Sequence, residues 1–509
     1  MTRLILLVLL CLCNSYPTQS QTSLKEIDLD YGQYHVGFQY HLHYDSSRTY
    51  QRIYDWDNKH IPRPMPTGIW YPTRGKVNEE TRMTILQYME ILKQEEEWEH
   101  LPNDQILNWF YYSNTSENQK HLSELTKAHN NVDVLEGKFP LVVYAPSYQA
   151  SSIENFALCE FLASHGYVVV SNPSRGTKNR YLEGGTAKDM ETQARDIEFL
   201  IQKAKALLYV DANRIAVAGF SFGGLSNMLV QMRNDDIKAI LSLDGTVKYR
   251  YKTLMESAFS NTEKVDVPFL HMSQKDIPEN VLIEDKIEAS LNSSFTFYDS
   301  LKFSRAYQLK FHDLSHSYFS TLGVLFNERD PRQDKSDPEI MQSYKLVCDY
   351  SLNFLDAFLK GNSESLKFLS TDPEELGVEK GLISIKRKEP EDVAFTFRDF
   401  NEKAANQSYK NLGELHAEIL DDHSAFLIEE WKLNNLGLQL LYNSKTSKQA
   451  ISVFQFATQL FPKSSNLFDS LAEAHLFLGQ KDKAIVNFEK SLELNKENQN
   501  AINRLEELK

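Results

Sequence analysis

The sequence around position 221 constrains the fold of this chain more than any other segment. Residues 214–218 (RIAVA) are typical of a short buried strand, and residues 224–230 have the spacing of an amphipathic helix. Between them lies the pentapeptide GFSFG, residues 219–223. A serine on a sharp strand-to-helix turn, with small residues two positions before and after it, is typical of a nucleophile elbow. The segment predicts Ser221 as a nucleophile, and the alternative is a tight glycine turn with a serine that faces solvent.

Apolar runs typical of buried strands alternate with helical segments over residues 69–359, which predicts an α/β fold with a mostly parallel sheet and helices on both faces. The predicted strands are 69–72, 141–145, 167–171, 214–218, 239–243, 267–272 and 307–311, and the predicted helices are 153–165, 187–207 and 338–359. Residues 76–132 are charged and helix-like, and they predict a helical insertion in the position of a lid. Its aromatic cluster, residues 109–112 (WFYY), is expected either to line a substrate pocket or to pack inside the insertion.

A nucleophilic serine needs a histidine that takes its proton and a carboxylate that orients the histidine. In folds with an elbow these residues follow the serine in the order acid, then base. Asp244 ends the strand after the elbow helix, whereas Asp276 follows the next strand, the commoner position for the acid. Both stay candidates at this point. The base is expected in the loop after the last strand, where His316 is the first choice and His312 the alternative.

From about residue 69 to residue 359 the chain resembles the dienelactone-hydrolase-like α/β-hydrolases, and most closely their secreted platelet-activating-factor acetylhydrolase branch. The matching stretches are 139–144 (FPLVVY), 162–169 (LASHGYVV), 219–224 (GFSFGG) and 239–244 (AILSLD). In that branch the acid ends the strand after the elbow helix, so the resemblance implies Asp244. His316 with Phe319 is similar to the branch's His-x-x-Phe. The resemblance implies an α/β-hydrolase fold that cleaves carboxylic esters through a Ser-His-Asp triad and an acyl-enzyme, without a cofactor or a metal.

The tetrahedral intermediate of such a reaction needs backbone N–H donors that hold its oxyanion. The resemblance places one donor at Phe222 and the other in the loop after strand 141–145, where a turn like His-Gly-x-Gly is usual. This chain has Pro146-Ser147-Tyr148-Gln149 there, so Tyr148 matches the second donor position for position. The alternative for this segment is an ordinary strand-to-helix loop.

The first twenty residues have the pattern of an export signal. Arg3 precedes an apolar run over residues 4–13, and Thr18-Gln19-Ser20 is a small-x-small cleavage site. The run is too short to span a bilayer. The pattern predicts a signal peptide over residues 1–20, a mature chain without a transmembrane span, and a periplasmic or secreted location. The mature chain retains Cys159 and Cys348, which we expect to be buried thiols.

The character of the sequence changes after the hydrolase-like part, residues 21–360. Residues 361–425 are polar and predict a connector with some helix. In residues 426–509 a pattern of small and aromatic residues recurs with a spacing of 34. It comprises Ala450, Ile451, Phe454, Ala457 and Leu460, then Ala484, Ile485, Phe488, Ser491 and Leu494. This period resembles tetratricopeptide repeats, and it predicts an all-α repeat region that either packs or binds a protein partner.

Charge and motifs exclude several other functions. A net charge of −15 without a basic stripe argues against a nucleic-acid partner. His35, His41 and His43 alternate, but no carboxylate or cysteine lies at ligand spacing, so an exposed strand is expected there rather than a metal site. The sequence favours an exported serine hydrolase acting on a small ester, lipid-like esters included. The alternatives are an amidase or peptidase with the same triad, and an inactive hydrolase fold that binds a partner through its repeats.

Overall fold

The computed structural model describes residues 22–53, 60–74, 78–95, 100–326, 334–391, 395–443 and 445–508, so the predicted signal peptide lies outside the described residues. The chain divides into two compact units, Met1–Pro390 and Glu391–Lys509. The boundary therefore falls inside the predicted connector, 30 residues beyond position 360 (390 − 360).

A single sheet of eleven strands runs through the described part of the first unit. Its strands are β1 (His35–Gln51), β2 (His60–Thr73), β3 (Arg82–Thr84), β4 (Leu125–Asn130), β5 (Phe139–Ala145), β6 (Val168–Ser171), β7 (Val210–Phe220), β8 (Ile237–Leu243), β9 (Phe269–Ser273), β10 (Ala306–Phe311) and β11 (Ile383–Lys388). Their order across the sheet is β11-β10-β9-β8-β7-β5-β6-β2-β1-β4-β3. The run from β10 to β6 is parallel throughout, which confirms the predicted mostly parallel sheet.

Helices cover both faces of this sheet, as predicted. The helices described in the first unit are α1 (Leu24–Ile27), α2 (Ile85–Glu95), α3 (Ile106–Trp109), α4 (Ser116–His121), α5 (Phe156–Ser164), α6 (Ala187–Lys205), α7 (Phe222–Arg233), α8 (Tyr251–Met255), α9 (Glu279–Glu284), α10 (Thr296–Ser300), α11 (Thr321–Leu325), α12 (Asp337–Leu359) and α13 (Ser363–Ser370). Val142 and Tyr144 of β5 pack in one core with residues of α5 and α12. Leu141 and Val143 pack in the other with α6 and α7. This alternation follows from the two-residue period of a strand.

Two parts of the sheet differ from the sequence expectation. The insertion over residues 76–132 is not wholly helical, because β3 and β4 lie in it and extend one edge of the sheet. At the opposite edge, β11 comes from the predicted connector and pairs antiparallel with β10. Edge strands carry charged residues that face solvent, and β11 contains Lys386, Arg387 and Lys388. Such strands lack the continuous apolar run that identifies a buried strand.

The second unit is all-helical over its described residues, in agreement with the predicted helical region. Its helices are α14 (Phe397–Asn406), α15 (Leu412–Asp422), α16 (Glu430–Leu441), α17 (Ser447–Leu460), α18 (Ser465–Phe477), α19 (Lys481–Leu494) and α20 (Gln499–Leu508). The recurring residues occupy equivalent places: Ala450, Phe454 and Ala457 are buried on α17, as are Ala484, Phe488 and Ser491 on α19. Among all described helices of the chain, none combines the length and the apolar character needed to cross a bilayer.

Candidate active site

Ser221 occupies a strained turn between β7 and α7. Its backbone has φ 51° and ψ −116°, a conformation that L-residues adopt only when surrounding contacts impose it. Those contacts are present: its N–H donates to the carbonyl oxygen of Leu243 at 3.0 Å, and its own carbonyl accepts from the N–H of Thr246 at 2.8 Å. The side chain is partly exposed at the carboxyl edge of the sheet. The predicted elbow is therefore present as a turn that presents the hydroxyl of Ser221.

The glycines of the pentapeptide are required by close backbone approach. A Cβ added at Gly223 would lie 2.1 Å from the carbonyl oxygen of Ala145, at the end of β5. A Cβ added at Gly219 would lie 2.6 Å from the backbone of Gly223. Distances this short exclude any side chain at either position. The two glycines thus let β7, α7 and the end of β5 meet at the serine.

His316 connects the serine to a buried carboxylate. It begins the short 3-10 turn His316–Phe319 that follows β10. Its Nε2 lies 3.0 Å from Ser221 Oγ, and its Nδ1 lies 2.5 Å from Asp244 Oδ2. The imidazole packs on the ring of Phe220, with 4.9 Å between centroids. This hydrogen-bonded chain has the geometry in which an imidazole accepts the proton of a serine hydroxyl.

Asp244 is completely buried directly after β8. Its Oδ1 accepts hydrogen bonds from the N–H of Gln274 at 3.1 Å and from the hydroxyl of Tyr249 at 3.2 Å. Burial raises the pKa of this carboxyl, but the hydrogen bond and the charge of His316 outweigh burial, so the pKa of Asp244 lies below its usual value. The group is therefore a carboxylate at neutral pH. Sequence reasoning missed Tyr249 and Gln274, since no motif marks either of them.

The alternative acid, Asp276, and the alternative base, His312, lie outside this hydrogen-bonded chain. Asp276 forms an ion pair with Lys310 at 2.5 Å, and 65% of its side chain is exposed. His312 lies 3.0 Å, through its Nε2, from Ser384 Oγ of β11. The structure brings together Ser221, His316 and Asp244, and it brings neither alternative into that hydrogen-bonded chain.

The two predicted oxyanion donors are neighbours. Phe222 is the first residue of α7 and Tyr148 lies in the loop after β5, and their rings meet edge to face with 5.9 Å between centroids. Within the described part of the chain, neither backbone N–H donates a hydrogen bond. The N–H groups at a helix N-terminus suit a developing negative charge. The carbonyl of Pro146, in the same loop, accepts a hydrogen bond from Gln193 Nε2 of α6 at 3.0 Å, which ties this loop to α6.

Tyr148 is one of the residues that line a cavity of about 470 Å³. The insertion supplies Trp109, Phe110 and Tyr111 to its wall, while Tyr112 of the same aromatic cluster is buried. The remaining lining residues are Leu92, Asn108, Gln149, Ala150, Ser151, Glu154, Arg180, Tyr181 and Leu322. The aromatic cluster therefore both lines a pocket and packs inside the insertion. The volume is in the range of small-molecule sites.

Among the residues that the structure describes, the titratable groups outside this constellation are not clustered as metal ligands. No cluster of three or more His, Cys, Asp or Glu side chains in the described ranges is arranged to hold a metal ion. His35, His41 and His43 all lie on β1, and the rings of His41 and His43 stack on each other. Cys159 and Cys348 are buried free thiols, as expected.

His271 lies on β9, within the core close to the acid. It is completely buried, its Nδ1 lies 3.0 Å from Ser242 Oγ, and its Nε2 has no hydrogen-bond partner among the described residues. Burial lowers the pKa of His271 from 6.5 to about 3. The folded protein therefore holds this imidazole in its neutral form.

We expect His271 to make the protein acid-sensitive. Between pH 6.5 and about 3 the unfolded chain binds a proton at this histidine that the folded chain does not bind. The free energy of unfolding should thus be highest above pH 6.5 and should fall below it, by up to about 1.4 kcal/mol per pH unit for one proton. Urea unfolding of His271→Gln at pH 7 and pH 4.5 should show a smaller loss of stability than the wild type. An equal loss in both proteins would contradict this expectation.

A family model and a solved structure match parts of this chain. Residues 155–270 match the model of the prolyl oligopeptidase family, a segment that contains Ser221 and Asp244 and ends before His316. Among solved structures, the chain is similar to a ferulic acid esterase from Streptomyces cinnamoneus, with 19% identity, 64% of this chain and 91% of that chain covered, and a TM-score of 0.43. A search of curated proteins finds no match. The match over residues 155–270, together with the strand-to-helix turn at Ser221 and the mostly parallel sheet, supports an α/β-hydrolase fold of the serine-hydrolase kind.

Proposed function

We propose that this chain hydrolyses carboxylic esters through Ser221, His316 and Asp244, by way of an acyl-enzyme. The observation that carries the proposal is the continuous hydrogen-bonded chain from Asp244 through His316 to Ser221 Oγ. The partly exposed hydroxyl on a strained turn adds to it.

In the proposed reaction Ser221 Oγ attacks the acyl carbon while His316 Nε2 takes the hydroxyl proton. Asp244 stabilises the imidazolium that forms. The N–H groups of Phe222 and Tyr148 hold the oxyanion, each contributing about 3 kcal/mol of barrier lowering. Collapse of the intermediate expels the alkoxide, which takes the proton from His316. A water molecule, deprotonated by His316, then hydrolyses the acyl-enzyme and restores the serine.

The position of the acid favours an ester hydrolase of the acetylhydrolase-like kind. Asp244 directly follows β8, the strand after the elbow helix, which is the acid position that the resemblance to that branch implies. The general position of the acid in this fold would be that of Asp276. Similarity to the prolyl oligopeptidase family favours a second candidate, an amidase or peptidase with the same three residues. An inactive scaffold is the third alternative.

A matched substrate pair separates the candidates. We expect rapid release of 4-nitrophenol from an acyl 4-nitrophenyl ester and no comparable release of 4-nitroaniline from the anilide with the same acyl group. Comparable turnover of both substrates would favour the amidase. A fluorophosphonate probe should label the wild type, and an unlabelled, folded protein would favour the scaffold.

We further propose that the cavity at Tyr148 binds an apolar part of the ester, as a lipid-like substrate requires. Trp109→Ala should lower kcat/KM about 10-fold for an octanoyl aryl ester and leave the acetyl ester nearly unchanged, because only the longer chain reaches this wall. Steady-state kinetics with both esters measure the difference. Trp431→Ala in the second unit is the matched control and should change neither value. Equal losses on both esters would show that Trp109 acts through packing alone.

We also propose that the chain is exported and that it binds a protein partner. The signal-like residues 1–20 support a periplasmic or secreted location. The 34-residue period and the equivalent buried positions on α17 and α19 support tetratricopeptide-like repeats over residues 426–509, a surface suited to a protein partner.

A further inference from the structure

A buried carboxylate of the insertion, residues 76–132, is hydrogen-bonded to the loop that follows β5. Glu95 is the last residue of α2 and is completely buried. Its Oε2 accepts a hydrogen bond from Ser151 Oγ at 2.5 Å, and its Oε1 accepts one from Ser152 Oγ. The N–H of Ser152 lies 3.3 Å from both carboxylate oxygens. Burial raises the pKa of Glu95, although these hydrogen bonds partly offset it.

A second carboxylate holds the other end of the same loop. Glu154 Oε2 accepts from the N–H of Ser147 at 2.8 Å, and its Oε1 accepts from Ser147 Oγ at 2.5 Å. The segment from Ser147 to Ser152 is thus fixed at both ends, with Tyr148 inside it. Glu154 takes the N–H of Ser147, while the next N–H along the chain, that of Tyr148, has no acceptor in the described part of the protein.

We propose that Glu95 is a positioning residue of the oxyanion hole. The proposal rests on the proposed function and adds the device that holds its second donor in place. This chain lacks the glycine-containing turn that is usual at this position in the family it resembles. Glu95 ties the loop to the insertion, and Glu154 ties it to its own following turn, so that the N–H of Tyr148 keeps a fixed direction beside Phe222.

Such positioning matters because an oxyanion donor works only within a narrow distance range, about 2.7–3.1 Å from the developing charge. A displacement of about 1 Å is enough to lose much of its effect. Loss of Glu95 should therefore weaken binding of the transition state more than binding of the substrate. A merely structural role would lower stability and leave that difference unchanged.

The test compares two buried carboxylates. Glu95→Gln places an amide N–H₂ against donors from Ser151 or Ser152, which should loosen the loop. The control is Glu160→Gln, because Glu160 is equally buried and binds Tyr88 and the backbone N–H groups of Lys127 and Ala128, away from the loop. We expect Glu95→Gln to lower kcat for an acetyl aryl ester about 30-fold with KM nearly unchanged, as a partial loss of one donor. Glu160→Gln should lower the melting temperature and leave kcat near wild type.

The second readout is the inhibition constant of a trifluoromethyl ketone, which forms a tetrahedral adduct with Ser221. It should rise by about the factor by which kcat/KM falls in Glu95→Gln, and it should stay constant in Glu160→Gln. The rate of fluorophosphonate labelling, which needs no ester turnover, should fall in the same variant. A Glu95→Gln protein with wild-type kcat, inhibition constant and labelling rate would overturn the positioning role. A wild type that labels but cleaves no ester would overturn the proposed substrate alone, and a wild type that does not label would overturn both proposals.

Discussion

Ser221→Ala is expected to abolish fluorophosphonate labelling and to lower ester turnover by about 10⁶-fold, the scale of losing a serine nucleophile. The backbone at position 221 already carries a Cβ at φ 51°, so alanine adds no backbone strain. Within the described part of the chain, the hydroxyl that alanine removes has two hydrogen-bond partners, His316 Nε2 at 3.0 Å and Thr246 Oγ1 at 3.5 Å. The fold should therefore persist, and circular dichroism with thermal unfolding will check it.

A serine outside the site supplies the control for this substitution. The hydroxyl of Ser300 donates to the carbonyl of Phe297 at 2.7 Å, and Ser300→Ala should retain both labelling and turnover. Undiminished hydrolysis of an aryl ester by a folded Ser221→Ala protein would end the serine hydrolase mechanism proposed here.

The elbow and the central strands could be predicted because burial on both faces leaves a clear pattern. Strands β5 to β10 appear as short apolar runs, since each is covered by helices above and below. The edge strands do not follow this rule. Much of β1 is exposed and β11 carries three consecutive charges, so their pairing depends on long-range partners rather than on local composition.

The sequence predicts Ser221 as the nucleophile and His316 as the first choice for the base, but for the acid the chain order alone allows two residues, and only the resemblance implies Asp244. The sequence left Asp244 and Asp276 open as the acid, because the choice depends on where a loop side chain turns. In the structure Asp244 has φ 38° and turns toward His316, while Asp276 faces Lys310. The buried hydrogen bonds of Glu95 could not be predicted from the sequence either, because they join residues that lie 56 and 57 positions apart in the chain.

Catalysis should depend on the carboxylate of Asp244 and not on that of Asp276. Asp244→Asn should lower kcat by about 10⁴, whereas Asp276→Asn should stay near wild type. Asp276 pairs with Lys310, and 65% of its side chain is exposed. Exposed ion pairs are worth at most about 1 kcal/mol. Steady-state hydrolysis of an acetyl aryl ester at pH 7, with melting temperatures for both variants, measures the contrast. A crippled Asp276→Asn beside an active Asp244→Asn would reverse the assignment and remove the main support for the acetylhydrolase resemblance.

The contacts of Asp244 explain why Asp244→Asn, which replaces the carboxylate by an amide of the same shape, should lower kcat. Tyr249 and the N–H of Gln274 both donate to the Oδ1 position, so an asparagine would place its carbonyl oxygen there. Its N–H₂ group would then face Nδ1 of His316, where Oδ2 now lies at 2.5 Å. To accept that hydrogen bond, the imidazole must carry its own proton on Nε2, which points at Ser221 Oγ. A nitrogen that already holds a proton cannot take one from the serine, so the variant should keep its fold and its substrate site while losing its general base.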